Sequence, residues 1–281
     1  MIFLYSTYNE LIKIALKPRS YLGLAAITGL VGIILFALHA DGMSMISFVT
    51  ASFEQTLRFE GEVLNGNLVA FIILQMLIVH IPLLVALVTG DLISGEAAMG
   101  TLRMLATKPI SRRQLLGSKF LAGGIYTLLI VIWLGILAVL VGRWIFGPGD
   151  LMVLNSDGLV IIQENDVLWR YAGAFCVAFF ALLTISNLSI CLSCFSDNSI
   201  GPIVSTMAII LLFTIIGTLD VPVFDPIRPF LFTTHMAAWR SFFEDPMPWD
   251  SIRNSLWVMT LHHVVFIAVA MISFNRKDIT V

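Results

Sequence analysis

The sequence predicts an all-α membrane protein with six transmembrane helices. Of its 281 residues 58% are hydrophobic and 12% are charged, whereas a typical soluble domain is about 25% charged. Six apolar stretches come close to or exceed the roughly 20 residues that cross a bilayer core. They lie at about 21–39, 68–90, 120–141, 171–194, 201–219 and 255–274. We therefore expect one transmembrane domain over residues 1–281.

Basic residues divide unevenly between the two sides that six spans create. The side with both termini, the 91–119 loop and the turn near 195–200 carries ten Lys and Arg against five Asp and Glu, a formal charge of +5. The other side carries six against thirteen, a formal charge of −7. Because cytoplasmic loops are enriched in Lys and Arg, we expect both termini in the cytoplasm and the protein in a bacterial plasma (inner) membrane. No small-residue cleavage site follows a short apolar region, so the first span is expected to be retained.

Residues 1–19 predict a separate interfacial helix before the first span. Apolar residues between Phe3 and Leu16 recur at an imperfect amphipathic helical spacing, and the Lys-Pro-Arg run at 17–19 ends the pattern. A helix in the cytoplasmic interface that turns at Pro18 into the first span fits this order. The alternative is a simple cytoplasmic extension of that span.

Five of the sixteen basic side chains lie in the loop after the second span, residues 91–119, here called the arm. Gly95 and Gly100 are expected to interrupt the preceding helix, since glycine is unfavourable inside a helix. A short helix of about 97–106 then stops before Pro109, because the residue before a proline is disfavoured in the α region. The arm is thus expected to be bent and rigid, with apolar side chains among its charges that can dock on a partner protein.

A motif runs through the arm. An acidic residue precedes Gly-Thr-Leu, a short apolar helix, Pro-x-Ser-Arg and a Gly-x-Lys that opens the third span, and Ser111 with Gln114 forms a capping-box pattern. The motif comprises Glu96, Gly100, Thr101, Leu102, Leu105, Pro109, Ser111, Arg112 and Gly117-Ser118-Lys119. This motif, together with the six-span layout, resembles the ABC-2-type transporter permeases, and most of all their subgroup named for multicopper enzyme maturation.

The resemblance implies a type V ABC exporter-like fold, with an N-terminal elbow helix and a cytoplasmic coupling helix. It implies that residues 96–112 bind a separate ABC ATPase subunit, which would hold ATP and Mg, and that the chain pairs with a second permease copy or paralogue, as a dimer. The alternative is that the arm is only a positively charged anchor with no partner.

The sequence shows no catalytic apparatus of its own. Gly117-Ser118-Lys119 lacks the upstream glycine spacing and the following hydroxyl of a phosphate-binding Walker A loop. Neither HExxH nor Gly-x-Ser-x-Gly occurs. We therefore expect no catalytic residue and no cofactor in this chain, with ATP hydrolysis on the separate subunit.

Histidines inside the spans are candidates for lining a pathway, because ionisable residues in spans are functional by default. His80 stands just before Pro82, so the alternative is that it satisfies backbone groups freed by a proline kink. His262 and His263 point about 100° apart on a helix, so they cannot both face one site. We assign His80 and His263 as possible pathway-lining residues. The absence of Asp and Glu in mid-span argues against an ion-driven carrier and an ion channel.

Cys191 and Cys194 share a helix face, with Cys176 farther along the same span. Thiolates suit Cu(I) or Zn, but a metal site needs three or four ligands, and cysteine also serves as a small residue at helix contacts. No metal site is assigned.

Residues 220–253 are expected to form an extracytoplasmic or re-entrant segment, with Trp239 and Trp249 at the interface.

These observations predict the permease subunit of an ATP-driven exporter. The alternative is a non-transporting membrane subunit that transmits ATPase-driven force to an extracytoplasmic partner. Expected partners are the ATPase subunits, a second permease copy, membrane lipid and an extracytoplasmic accessory protein, with no nucleic acid. The uncharged surfaces of the spans favour a lipophilic substrate.

Overall fold

A computed structural model describes residues 2–50, 63–106, 110–155 and 158–277. In this part of the chain six helices are long and apolar enough to cross a membrane, and they are here called the spans. They are Pro18–Gly42, Ile81–Ala98, Arg112–Phe146, Glu164–Ser193, Ile200–Thr218 and Trp249–Arg276. The predicted helical membrane layout is confirmed at this level.

The N-terminal segment forms its own helix, α1 (Ile2–Leu16), as predicted. The helix ends at Leu16, and after Lys17 the next helix, α2 (Pro18–Thr50), begins at the proline, whose missing N–H costs nothing at a helix start. A second break follows at Asp41, which has non-helical backbone angles. That α1 lies in a membrane interface stays a prediction.

The second predicted crossing is divided into shorter helices. It comprises α3 (Gly66–Leu77) and α4 (Ile81–Thr89), and α5 (Asp91–Ala98) continues it into the arm. The break between α3 and α4 lies just before Pro82, where a proline kink was expected.

The helices of the arm differ from the prediction. Gly95 does not interrupt a helix but lies within α5, and the break occurs only at Gly100. The helix expected over 97–106 is therefore shorter, α6 (Thr101–Ala106). The reason is that, of these two glycines, Gly100 is the one with a positive φ, of 69°, which ends α5.

The third span contains a wide turn near its far end. It begins as α7 (Arg112–Gly135), passes through a π-helical segment, Ile136–Val141, and ends as α8 (Gly142–Phe146). A two-stranded antiparallel hairpin, β1 (Leu151–Asn155) and β2 (Gly158–Ile162), then leads to the next span. This hairpin was not predicted, and because of it the described fold is not purely helical as expected.

The remaining spans are α9 (Glu164–Ser193), α10 (Ile200–Thr218) and α12 (Trp249–Arg276). Helix α9 is central, since every residue from 184 to 191 is buried. A helix that is enclosed on all faces must pack tightly, and its Ser186, Ser189 and Ser193 are small enough to allow it.

The segment between the last two spans packs onto the bundle. It contains three 3₁₀ turns, Pro222–Phe224, Arg228–Phe230 and Met236–Phe243, and the short α11 (Phe232–His235). Trp239 is buried among aromatic rings that include Phe71 and Phe243, so its expected place at an exposed interface was wrong. Trp249 is exposed at the start of α12. Arg170 fixes the segment to α9 by donating to the carbonyl oxygens of Phe242 and Glu244.

The bundle has two distinct ends. At one end, here called the arm end, the arm meets α1, the 194–197 turn and the end of α12, where Lys277 donates to Asp197 at 2.7 Å. At the other, the hairpin end, Asn65 and Asn67 donate to the backbone of the loop before β1. The loops therefore divide between two ends as six spans require. Which end faces the cytoplasm stays a prediction.

We predict that Gly66→Ala destabilises the fold. Gly66 begins α3, and an added Cβ would lie 2.6 Å from Arg143 N and 2.7 Å from Gly142 O, so two backbones must separate. We expect the free energy of unfolding in detergent micelles to fall by about 1–3 kcal/mol. Gly29→Ala is the matched control, because its Cβ would meet nothing within 4 Å. Equal stability of the two variants would contradict this packing.

Candidate functional site: the charge cluster beneath the arm

Four charged side chains form a closed group beneath the arm, here called the charge cluster: Glu10, Lys13, Glu96 and Lys119. Lys119 Nζ lies 2.8 Å from Glu10 Oε2 and 2.6 Å from Glu96 Oε2. Lys13 Nζ lies 2.6 Å from the other oxygen of each glutamate. Each lysine thus bridges both carboxylates, and the cluster joins α1, α5 and α7.

Lys119 is the most enclosed member of the charge cluster. Its side chain is 0% exposed, and its third donor is satisfied by the carbonyl oxygen of Leu92 at 2.8 Å. An unpaired ammonium at this position would be strongly unfavourable, because removing an ion from water costs several kcal/mol. Two carboxylates and one carbonyl surround it, so the burial of Lys119 requires α1 and α5 to be in place.

The local packing explains how α1 reaches this position. Phe3 lies beside Gly117, where an added Cβ would be 3.3 Å from its ring, and Ser6 hydrogen-bonds Ser118 at 2.9 Å. Glu10 then meets Lys119. Two turns of α1 therefore contact three consecutive residues at the start of α7.

The charges of the cluster shift the pKa values of its two members on α1, Glu10 and Lys13. Burial alone would raise the pKa of Glu10, but the charge of Lys119 and hydrogen bonds from both lysines outweigh burial and hold that pKa below its usual 4.5. Burial alone would lower the pKa of Lys13, yet hydrogen bonds to Glu10 and Glu96 raise it above 10.5. Glu10 and Lys13 are therefore both charged at neutral pH.

A second ion-pair group anchors the turn between α1 and α2. Lys17 Nζ lies 2.7 Å from Asp91 Oδ2, and Arg19 lies 2.7 Å from Asp91 Oδ1. Asp91 is buried at the start of α5. Gly95 stands one turn later, and any Cβ there would overlap the Asp91 carboxylate, which explains why α5 contains a glycine.

The outer face of the arm carries exposed methionines. Met99 and Met104 are 62% and 64% exposed, whereas Leu102 is buried against the bundle. Thr101 Oγ1 donates to the carbonyl oxygen of Glu96 across the Gly100 turn at 3.2 Å. Methionine is flexible and polarizable, so these side chains suit a protein-binding surface.

The remaining arm residues fix its second half. Ser111 Oγ accepts from Gln114 N and Ser111 N donates to Gln114 Oε1, so the predicted capping box is present. Arg112 donates to three carbonyl oxygens at the end of α12, those of Phe274, Asn275 and Lys277. A cation there also complements the helix dipole.

Two of the motif residues fall outside this description. Pro109 and the side chain of Leu105 lie outside the described residues. Glu96 is described and faces inward, so it positions the arm and does not lie on the surface that a partner would touch. The structure thus brings Glu96 together with Lys119, while Gly100, Thr101 and Leu102 shape the turn above them.

The candidate pathway histidines lie apart from each other. His80 is exposed, and its Nδ1 donates to the carbonyl oxygen of Met76, which the α3–α4 break leaves available. His263 is buried against α9, with Nε2 2.8 Å from Thr184 Oγ1 and its ring stacked on Phe180. Their assignment to a pathway stays a prediction.

The described residues contain no group of three or more His, Cys, Asp or Glu that could hold a metal ion. Cys191 and Cys194 are buried, and Cys176 is exposed elsewhere on α9.

The charge cluster was not predicted, because its members belong to segments that are distant in sequence. Lys119 stands in the Gly-Ser-Lys motif of the arm, and Glu10 lies in the N-terminal helix. A usable signal was present, since Lys119 directly precedes an apolar span and a buried lysine needs an acidic partner.

Comparison with known proteins gives a family and a distant relative. A family described as "Protein of unknown function (DUF2705)" matches residues 29–280, a segment that contains Glu96 and Lys119 but not α1. The "Uncharacterized protein YhcI" of Bacillus subtilis (strain 168) is 22% identical over 198 residues, which is 69% of this chain. The chain spans 63% of that relative's length.

We predict that Lys119→Met detaches α1 from the bundle. Two buried carboxylates would then share one lysine, and removing one partner of a buried ion pair costs about 3–5 kcal/mol. The free energy of unfolding should fall by that amount, and amide exchange of residues 2–16 should accelerate. Arg113→Met, an exposed position in the same helix, should change stability by about 0.5 kcal/mol or less. Equal behaviour of the two variants would refute the role of Lys119.

We also predict that acid weakens the attachment of α1 to the bundle. The depressed pKa of Glu10 contributes stability that is fully present above pH 4.5 and is lost as the pH falls below that value. The raised pKa of Lys13 contributes stability that is lost only above pH 10.5. The melting temperature should therefore decline below pH 4.5, and Glu10→Gln should show a smaller decline. An unchanged slope in Glu10→Gln would mean that other groups cause the acid loss.

Proposed function

The chain belongs to the DUF2705 family, and we propose that it is the membrane permease subunit of an ATP-driven transporter, acting as an exporter. In this proposal a separate ABC ATPase binds the arm, hydrolyses ATP with Mg, and moves the spans. The chain itself catalyses nothing. The observation that carries the proposal is that buried charges join α5 of the arm to α1, to the start of α2 and to α7.

The charge cluster supports transmission of force from the arm. A displacement of α5 moves Glu96, and Glu96 shares both lysines with α1 and α7. Asp91 joins the same helix to the start of the first span through Lys17 and Arg19. A partner that pushes on α6 would therefore move α1, α2 and α7 together.

The arm surface supports binding of a protein partner. Met99 and Met104 stand on a short, bent segment, and the Gly100 turn and the capping box limit its conformations. A preformed surface loses little conformational entropy on binding, which favours affinity. In the proposed orientation this surface lies in the cytoplasm, where ATP is available, and α1 lies across the cytoplasmic interface.

A second copy or a paralogue is part of the proposal. Six spans supply one half of a transporter with a pathway between two halves, as the resemblance to ABC-2-type permeases implies. The fifth span supports this arrangement, because within α10 only Pro202 and Thr206 are buried by the described chain. One side of α10 packs on the bundle through Ile209, Ile210 and Phe213. Its exposed side chains, Val204, Leu211, Leu212 and Ile215, can contact lipid or the second half.

The hairpin favours a second candidate function, transmission of force to an extracytoplasmic partner without transport. Side chains on one face of the hairpin, Leu151, Val153 and Ile162, are buried, as expected of a packed strand pair. The opposite face is also apolar, with Met152 and Leu154 paired to Ile161 and Leu159. Antiparallel strands commonly expose one polar face to water, so an apolar outer face favours a hairpin that a partner covers.

We predict that Met104→Glu disrupts coupling to the ATPase. An unpaired charge buried in an interface costs several kcal/mol, so the purified protein should lose its copurifying ATPase and the associated Mg-dependent ATP hydrolysis. Leu154→Glu is the matched control, since it places the same charge on an exposed apolar position at the hairpin end. This control should retain both the copurifying ATPase and its ATP hydrolysis.

Retention of full ATP hydrolysis by Met104→Glu would contradict docking on the arm. Liposomes that contain the complex separate the two candidate functions. A transporter should show hydrolysis that a lipophilic substrate stimulates, and Leu154→Glu should not change it. A force-transmitting subunit should show no such stimulation, and Leu154→Glu should abolish its action on the external partner.

A further inference from the structure

An apolar groove lies between the third and fourth spans. Its volume is about 480 Å³, and seven residues between 128 and 140 and seven between 168 and 180 line it. Small-molecule sites have volumes of about 300–1,000 Å³. Gly135 and Phe175 face each other across the groove, where a Cβ on Gly135 would lie 3.4 Å from the Phe175 ring.

The groove extends over about half of the bilayer. Residues 168–180 of α9 cover about 18 Å at 1.5 Å per residue, whereas a hydrocarbon core is about 30 Å thick. Beyond this point α9 is enclosed by its own chain, since residues 184–191 are all buried. The groove therefore begins near the hairpin end and closes close to the middle of the bilayer.

Two tryptophans mark the open end of the groove. Trp144 follows the lining residue Leu140 by four positions and is 84% exposed, and Trp169 is next to the lining residue Leu168 and is 42% exposed. Exposed tryptophans concentrate at the boundary between lipid and water. That end of the groove thus lies at the level of the lipid headgroups.

The lining excludes a polar occupant. Its side chains are aliphatic or aromatic except for the Cys176 thiol and the Tyr171 hydroxyl. The hydroxyl donates to the carbonyl oxygen of Asn67 at 2.6 Å and is therefore engaged inside the bundle. An occupant with hydrogen-bonding groups would leave them unsatisfied in hydrocarbon, which costs several kcal/mol for each group.

The π-helical turn contributes to the shape of the groove. Ile136, Val139 and Leu140 come from this wider segment and line the groove opposite α9. Turns of this kind are rare and are frequently found at functional sites. With Gly135 directly before it, the third span has both a widened turn and a missing side chain on the groove side.

We infer that this groove binds one acyl chain of a phospholipid from the leaflet at the hairpin end. The chain lies along the spans, with its headgroup at Trp144 and Trp169 and its methyl end near the middle of the bilayer. A helix of a second copy fits less well, because it would need a contact surface along a full span, whereas this groove closes halfway. The site requires no ATPase, so it stands or fails separately from the proposed transport function.

A lipid that carries a diazirine in the middle of one acyl chain tests this site. The full-length protein is reconstituted with phosphatidylglycerol of this kind and irradiated, and the modified peptides are identified by mass spectrometry. We expect peptides that contain residues 128–140 and 168–180 to be labelled in excess of the exposed faces of α10 and α12. Those faces provide the level of labelling by ordinary surrounding lipid.

Gly135→Leu is the variant that fills the groove. We expect it to reduce labelling of both groove peptides by about fivefold, equivalent to about 1 kcal/mol in binding free energy. Gly29→Leu is the matched control, since it makes the same change on an exposed helix face with nothing within 4 Å. The control should leave groove labelling unchanged.

Two results would overturn the inference. Labelling of the groove peptides at the level of α10 and α12, or labelling that Gly135→Leu does not reduce, would show an ordinary lipid-facing surface. Absence of groove labelling together with efficient Cys176 crosslinking between two copies would show that a second protein chain occupies the groove.

Discussion

A buried lysine is the interaction on which the arm end of the structure depends. Lys119 is enclosed at the start of the third span, and the carboxylates of Glu10 and Glu96 reach it from two other helices. The desolvation of an ammonium is unfavourable by several kcal/mol unless partners surround it. The third span can therefore adopt its position only when α1 and α5 are docked. This requirement makes one unit out of elements that are distant in sequence.

The two ends of the molecule differ in the forces that hold them. At the arm end, ion pairs join helices whose outer surface is shaped by a glycine turn and a capping box, and that surface is suited to a protein partner. At the hairpin end, asparagine side chains and Arg170 bind backbone carbonyls, and the groove between the third and fourth spans is apolar. The central helix α9 connects the two. In the proposed function, force enters at the first end and the lipid-facing changes occur towards the second.

Hydrophobic length and proline positions were sufficient to predict six apolar helices, the end of α1 before Pro18 and the break before Pro82. These features follow from local chemistry that a single segment contains. The bounds of the second span were wrong, because that helix runs over Ile81–Ala98 and not over 68–90. The charge cluster and the hairpin could not be predicted in this way. Lys119 and Glu10 are 109 positions apart, so their pairing depends on how α1 crosses α7. The burial of Trp239 also depends on tertiary packing, because its aromatic neighbours come from other helices. The prediction that Gly95 interrupts a helix was also wrong. A glycine stands at this position because a Cβ there would overlap the Asp91 carboxylate.

The most direct test of the account is a double-mutant cycle between Glu10→Gln and Lys119→Met, followed by chemical unfolding in mixed detergent micelles. If the buried pair joins α1 to the third span, the two changes must share one effect. We expect a coupling free energy of about 1–3 kcal/mol between them. Effects that add to within about 0.5 kcal/mol would show that the two residues act independently. In that case the arm, α1 and the third span would not form one unit.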